Sequence, residues 1–340
     1  MKSELKIILV VALLGLFSCS KGEGIDSPDK QNGTPICFDQ ISTRATLSDV
    51  QANGFCVRAN LRNSLGKSVS VFPNNEAVTY SAPNWTYTHT AYWLDDCQYY
   101  FLASYPQNVQ FTTYTETQDD VDYTIYYADV TTDATAGNDI LIAYNFTDTA
   151  SLGFNPEDAV SFTFGHLLTK VNLKIQQDTD KDPNNDYYVT KVTLSGVKNN
   201  GTYFVFPSDG EFQRGWEMKN TTTEFIQDYS GDPVCLRAPT PGNTKILTVW
   251  DDGLLLIPQP IALNDVQIRI DYKYHLNGTD FAEDKERYVT ASLPVSNDLW
   301  QSGKVITYNL KLAEPNDISF GIPTIEPWGA PQTGGTIIIK

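Results

Sequence analysis

The chain has 340 residues with 41 acidic against 24 basic side chains, a formal net charge of −17. A chain this acidic repels nucleic acid and anionic lipid, which excludes both as partners held by charge. Aromatic residues make up 12% of it, 19 of them Tyr, a composition that favours strands over helices.

At the N-terminus, Lys2 and Lys6 precede an apolar run over residues 7–17, followed by Ser18 and Cys19. A basic start, a short apolar run and a small residue before the cut are the marks of an export signal, and the run is too short to span a membrane. Cysteine directly after the small residue makes residues 1–18 a bacterial lipoprotein signal peptide, with lipidation at Cys19. Acylation contributes roughly 0.8 kcal/mol per buried CH₂, so several chains on one cysteine anchor firmly in the outer membrane. Cleavage leaves residues 19–340, which are 322 residues and room for two domains; losing Lys2, Lys6 and Glu4 leaves 22 basic and 40 acidic groups, a net −18. Residues 19–35, rich in Gly, Ser, Asp, Lys and Pro, read as a flexible tether.

The folded part begins with residues 36–41, ICFDQI, as a first strand, and residues 42–46, STRAT, as an open polar segment. Phe55, Val57, Ala59 and Leu61 alternate with polar neighbours as a strand does. Residues 85–93, WTYTHTAYW, and 99–105, YYFLASY, are aromatic strand candidates, and residues 124–130 and 139–144 close the first half. The crossing to the second half falls in residues 161–176, SFTFGHLLTKVNLKIQ. Apolar residues occupy even positions through Phe164 and odd ones from Val171, so the strand must bulge, bend or change sheet near Gly165. The spacing predicts two strands joined at a corner.

The second half repeats the pattern. Val189, Val192 and Leu194 lead to Gly196; residues 203–206 run into a Pro-Ser-Asp-Gly turn ending at Gly210; residues 254–257, 266–270 and 304–312 are further strands, and Asn277-Gly278 is a hairpin signal. The fold class is all-β, two β-sandwiches over residues 36–165 and 166–328. Residues 329–335, GAPQTGG, form a hinge before an apolar β-branched tail, Thr336, Ile337, Ile338 and Ile339. Residues 329–340 therefore offer a possible donor strand, or complete the subunit's own sheet.

Candidate chemistry is sparse. Cys37, Cys56, Cys97 and Cys235 allow three disulfide connectivities, and none lies in a CxxC pair, so no zinc site is expected. His166, at the corner, has no HExxH or other ligand spacing around it and reads as a buried histidine bonded to backbone. Residues 178–186, DTDKDPNND, space oxygens like a calcium loop but lack the glycine at the sixth position and the glutamate at the twelfth, so they read as a hairpin tip. No nucleophile elbow or nucleotide fingerprint is present, and neither a catalytic residue nor a cofactor is expected. The aromatics from Trp85 to Tyr92 suit either a core strand or a sugar-stacking surface.

The chain resembles the fimbrillin family, the FimA-like and Mfa-like lipoprotein pilins. The resemblance rests on Cys19 in its lipobox, Thr43-Arg44-Ala45, and residues 100–106, 139–143, 164–171, 256–259, 299–303, 307–310 and 318–320, with Trp328 after them. It implies two transthyretin-like sandwiches displayed on the cell surface as an outer-membrane lipoprotein and fimbrial subunit. It also implies polymerisation with other fimbrial subunits by donor-strand exchange, and no catalytic activity. Arg44 and Ala45 are the expected protease-processing site, because cutting there frees the tether and first strand with Ile36, Phe38 and Ile41. The competing reading is a monomeric surface lipoprotein or tip adhesin that binds a glycan or a host or bacterial receptor; an anchored hydrolase stands behind both.

Overall fold

The computed structural model describes residues 33–43, 47–133, 139–208, 210–237, 245–261, 265–275, 285–294, 300–313 and 317–329, without the side chains of residues 40, 73 and 285. The first half carries β1 (Phe38–Thr43), α1 (Leu47–Asn53), β2 (Phe55–Asn63), β3 (Ser68–Ser81), β4 (Asn84–Thr86), β5 (Cys97–Tyr105), β6 (Thr112–Gln118), β7 (Val121–Thr131), β8 (Leu141–Asp148) and β9 (Val160–His166). The second carries β10 (Thr169–Gln177), β11 (Asp186–Lys198), β12 (Asn200–Ser208), β13 (Glu211–Met218), β14 (Thr222–Asp228), β15 (Val234–Cys235), β16 (Ile246–Thr248) and β17 (Leu254–Leu256). It ends with β18 (Gln267–His275), β19 (Lys285–Ser292), β20 (Lys304–Ala313), β21 (Asp317–Phe320) and β22 (Thr324–Pro327). The architecture is all-β, as the alternation predicts. The short α1 stops where the Gly54 N–H donates to the Val50 carbonyl at 2.8 Å. Gly54 has φ of 68°, and a Cβ there would lie 2.4 Å from the Val78 carbonyl oxygen, so only glycine fits this helix end.

Seven strands form the largest sheet, in the order β1-β9-β8-β5-β2-β3-β4. Its central strand β5 is buried on both faces. Tyr99, Phe101 and Ala103 enter one core with Phe55, Phe72 and Phe162. Leu102 points the other way, into a second core with Tyr126, Tyr203 and Val205. This second core lies under a four-stranded sheet of order β13-β12-β7-β6. Two of these strands come from each half of the chain: β12 pairs antiparallel with β7, Tyr203 opposite Ala128 and Val205 opposite Tyr126. The hairpin β12–β13 therefore reaches back across the boundary that the sequence places at residues 165 and 166. The remaining strands make a sandwich of two sheets, one built on β10 and β20 in parallel and the other on β11 and β18. Val171, Leu173 and Ile175 pack there with Val192, Leu194, Ile268 and Ile270.

The corner near Gly165 exists, and β9 and β10 join different sheets. Alternate residues of both strands are buried, Val160, Phe162 and Phe164 before it and Val171, Leu173 and Ile175 after it. Glycine is not what permits it: Gly165 has no positive φ, and a Cβ would meet nothing within 4 Å. Leu167 and Leu168, both 1% exposed, hold the corner by entering the second core. Two other expectations need correction, and a third lies partly outside the described residues. Of residues 85–93 only β4 is strand, because Tyr87, Ala91 and Trp93 pack into the first core from an irregular segment. Residues 178–186 are a crossover between two sheets rather than a hairpin tip, since β10 and β11 do not pair. Asp182 anchors that crossover, accepting from the Tyr187 hydroxyl at 2.6 Å and the Asn185 amide at 2.8 Å. The β18–β19 hairpin is present, with Tyr274 opposite Lys285 as its last pair, but Asn277-Gly278 lies outside the described residues.

Because the second core is shared by both halves, Val205→Ala should cost about 1–3 kcal/mol and shift one common unfolding transition in urea. Two transitions, with only the later half affected, would contradict this coupling.

Candidate functional site

Every site residue expected from the sequence alone lies outside the described residues: Cys19, Arg44, Ala45, Thr336, Ile337, Ile338 and Ile339. What the structure shows is the strand that ends just before Arg44. Among the described residues, β1 stands at the edge of the seven-stranded sheet and pairs in parallel with β9 alone, Phe38 opposite Val160 and Thr43 opposite Phe164. A bulge between Asp39 and Ser42 loosens the middle of this ladder. On the other side, residues 34–36 run against the irregular segment before β5. The Ile36 N–H donates to the Ala91 carbonyl at 2.8 Å and the Trp93 N–H to Thr34 at 3.1 Å. The Tyr87 hydroxyl donates to the Ile36 carbonyl at 2.5 Å.

The first strand thus fills a groove whose walls are β9 and residues 87–93. The floor is aromatic. Phe38 stacks on Phe162 at 5.8 Å between ring centres and meets Tyr87 edge-on at 5.3 Å, with Phe55, Phe72 and Phe101 within 6.4 Å. Ile36 is fully buried, Phe38 is 4% exposed and Ile41 7%. At roughly 1.5–3 kcal/mol for each, these three side chains contribute on the order of 5–9 kcal/mol. That is comparable to the roughly 5–15 kcal/mol that holds a whole domain folded. Burial also pushes the Tyr87 hydroxyl up to about 12, so it stays a neutral donor at any ordinary pH. Cys37, on the outer side of the segment, is exposed. Its thiol is pushed up by partial burial and by the carboxylates of Glu157 and Asp39. Cys37, Cys56, Cys97 and Cys235 are all free thiols.

His166 sits at the corner as expected, but its partner is not backbone. Its Nδ1 lies 2.5 Å from Asp139 Oδ2, and its ring stacks on Trp328 at 3.9 Å with an interplanar angle of 5°. The Trp328 N–H donates to the Gly303 carbonyl at 2.8 Å, and Lys170 Nζ lies 5.8 Å from the centre of its ring. The last described turn of the chain is thereby fastened to the junction. Nothing local in the sequence around His166 announces Asp139 or Trp328; separation along the chain hides them. Residues 85–93 also serve the groove rather than a sugar platform, since Trp85 packs on Phe55 at 5.1 Å and Tyr87 on Phe38. Among the described residues no group of three or more His, Cys, Asp or Glu is spaced to hold a metal ion.

A protein-family model described as fimbrillin-like matches residues 43–328. A fimbrial protein from Bacteroides vulgatus has a similar structure, with a TM-score of 0.61 at 18% identity over 86% of this chain and 99% of its own. That likeness shows the fold alone. A candidate cell adhesion protein from Bacteroides ovatus aligns at a TM-score of 0.47 and 16% identity, over 88% of this chain and 99% of its own. The tip fimbrial protein Mfa3 from Porphyromonas gingivalis aligns at 0.33 and 12%, over 84% and 97%. No curated protein matches the chain.

Phe38→Ala should destabilise the protein by about 3–5 kcal/mol in equilibrium urea unfolding, the cost of emptying a buried aromatic site. A loss under about 1 kcal/mol would mean that the groove collapses around the gap.

Proposed function

The chain belongs to the fimbrillin-like family, and on that premise we propose that it is a structural subunit of a cell-surface fimbria, assembled by strand exchange. The family is one of fimbrial proteins rather than of enzymes. One observation carries the reading: an edge strand, paired through its ladder on one side only, fills an aromatic groove and ends at Thr43, directly before Arg44. A sheet edge left open by the loss of such a strand is a template for a strand from another chain.

In this account Cys19 is acylated and carries the subunit to the outer membrane, with residues 19–35 as tether. A trypsin-like protease cuts after Arg44, before Ala45, and releases the segment that holds Ile36, Phe38 and Ile41. The groove then takes the tail of a neighbour through Thr336, Ile337, Ile338 and Ile339. The packing of β20 supports donation over self-completion. Its edge opposite β10 is already occupied, β22 facing Lys304–Thr307 and β21 facing Leu310–Ala313. A tail strand added to that edge of β20 would have to displace β21 or β22. The partners are other fimbrial subunits, and the assembled fibre supports adhesion.

Arg44→Ala should give a folded subunit that keeps its first strand and accepts no partner, whereas deletion of residues 334–340 should give one that accepts a strand and donates none. SDS-resistant ladders undiminished in both variants would reject the mechanism. Cys19→Ala should abolish incorporation of a radioactive fatty acid; equal label on the variant would sink the anchor.

A further inference from the structure

The corner between the halves leaves a cleft of about 400 Å³, inside the roughly 300–1,000 Å³ range of small-molecule sites. β8 and β9 pair only at Leu141 with His166 and Ile142 with Gly165, and the cleft opens where that pairing stops. Tyr144 and His166 line it from the first half, Tyr203, Arg214 and Trp216 from the β12–β13 hairpin, and Ser302 from the turn before β20. The site is complete only when both halves are in place.

Its chemistry is unlike the rest of the surface. The chain has 41 acidic side chains, yet among the described residues no carboxylate lines this cleft, and Arg214 supplies a fixed positive charge. Arg214 lies 5.8 Å from the centre of the Tyr144 ring, and the Tyr144 and Tyr203 hydroxyls hydrogen-bond each other at 2.6 Å. Burial pushes both phenols up, so the pair stays neutral and keeps lone pairs to offer. The Trp216 ring packs on Tyr203 at 5.0 Å, and Trp216 Nε1 is buried without a hydrogen-bond partner. His166 Nε2 is buried without one as well. Nδ1 faces Asp139, so Nε2 is the ring nitrogen left to pair with a ligand.

Two buried ring nitrogens without partners, Trp216 Nε1 and His166 Nε2, each carry a desolvation cost that a bound molecule can offset. A guanidinium calls for a carboxylate. Aromatic faces call for the apolar face of a ring. A hydroxylated ring that bears one carboxylate satisfies all of these at once; a bare dicarboxylate satisfies only Arg214. We propose that this cleft binds a uronic-acid-type unit of an acidic glycan. The inference does not rest on polymerisation: the cleft shares Thr163 and Phe164 of β9 with the first-strand groove, but its polar and aromatic groups come from Tyr144, His166, Tyr203, Arg214 and Trp216 of the same subunit.

The test is titration of the intact protein with D-glucuronate, D-glucose and succinate, followed by saturation-transfer NMR. Glucuronate should bind at least about tenfold more tightly than either control, the ratio that one charge-assisted contact supplies. Arg214 is exposed, so Arg214→Gln should leave the fold intact by circular dichroism and weaken glucuronate about tenfold while leaving glucose unchanged. Trp216→Phe, which keeps a ring but removes the N–H, should weaken both sugars. No glucuronate binding at millimolar concentration would overturn the proposal. So would succinate binding as well as glucuronate, which would make the cleft a simple anion site of the kind an acidic peptide fills.

Discussion

The whole first half depends on one strand that the sheet cannot do without and holds only from its sides. β1 buries Phe38 among five aromatic rings, yet its ladder is parallel, interrupted by a bulge and shared with β9 alone. Its energetic weight lies in side chains dropped into a groove, not in a continuous hydrogen-bonded position inside the sheet. Such a strand is replaceable in principle by any segment that offers apolar residues at the same alternation. It is not dispensable, because the empty groove would expose an apolar floor as costly as a domain's net stability.

A groove is useful only if its walls survive the loss of its contents. The shared second core provides for that. Leu102 and Ile142 bury the opposite face of the seven-stranded sheet against Tyr126, Tyr203 and Val205. That contact does not involve β1. The hairpin β12–β13, reaching back from the second half, thus clamps the sheet on the face opposite β1's side chains. His166, Asp139 and Trp328 fasten the same region to the end of the chain. The seven-stranded sheet and Trp328 are thus joined through one corner.

Strands are legible in the sequence because alternation reports which face of a strand is buried, and the alternating runs at 55–61, 171–175 and 304–312 are strands. The corner after Phe164 was legible for the same reason, as a change of phase. Partners were not legible. Alternation says nothing about neighbours, so neither the parallel pairing of β1 with β9 nor the return of β12 to β7 could be read. Composition misled twice. The aromatic run from Trp85 to Trp93 has strand-like content but packs as an irregular wall, and residues 178–186 suit a crossover as well as a hairpin tip. The candidate cleft escaped notice because Arg214, Trp216, His166 and Ser302 are far apart in the chain and carry no shared motif. Arg44 and the tail from Thr336 stand out in the sequence, whereas the groove that β1 fills depends on pairings that the sequence does not display.

The most direct measurement concerns the groove itself. A fluorescent synthetic copy of residues 33–43 would be offered to the protein before and after cleavage at Arg44, with brief exposure to mild denaturant to release the cut strand. The account predicts one-to-one uptake by the cut protein, with its thermal stability restored, and exclusion by the uncut protein, whose own strand occupies the site. Uptake by neither form, or equal uptake by both, would contradict it.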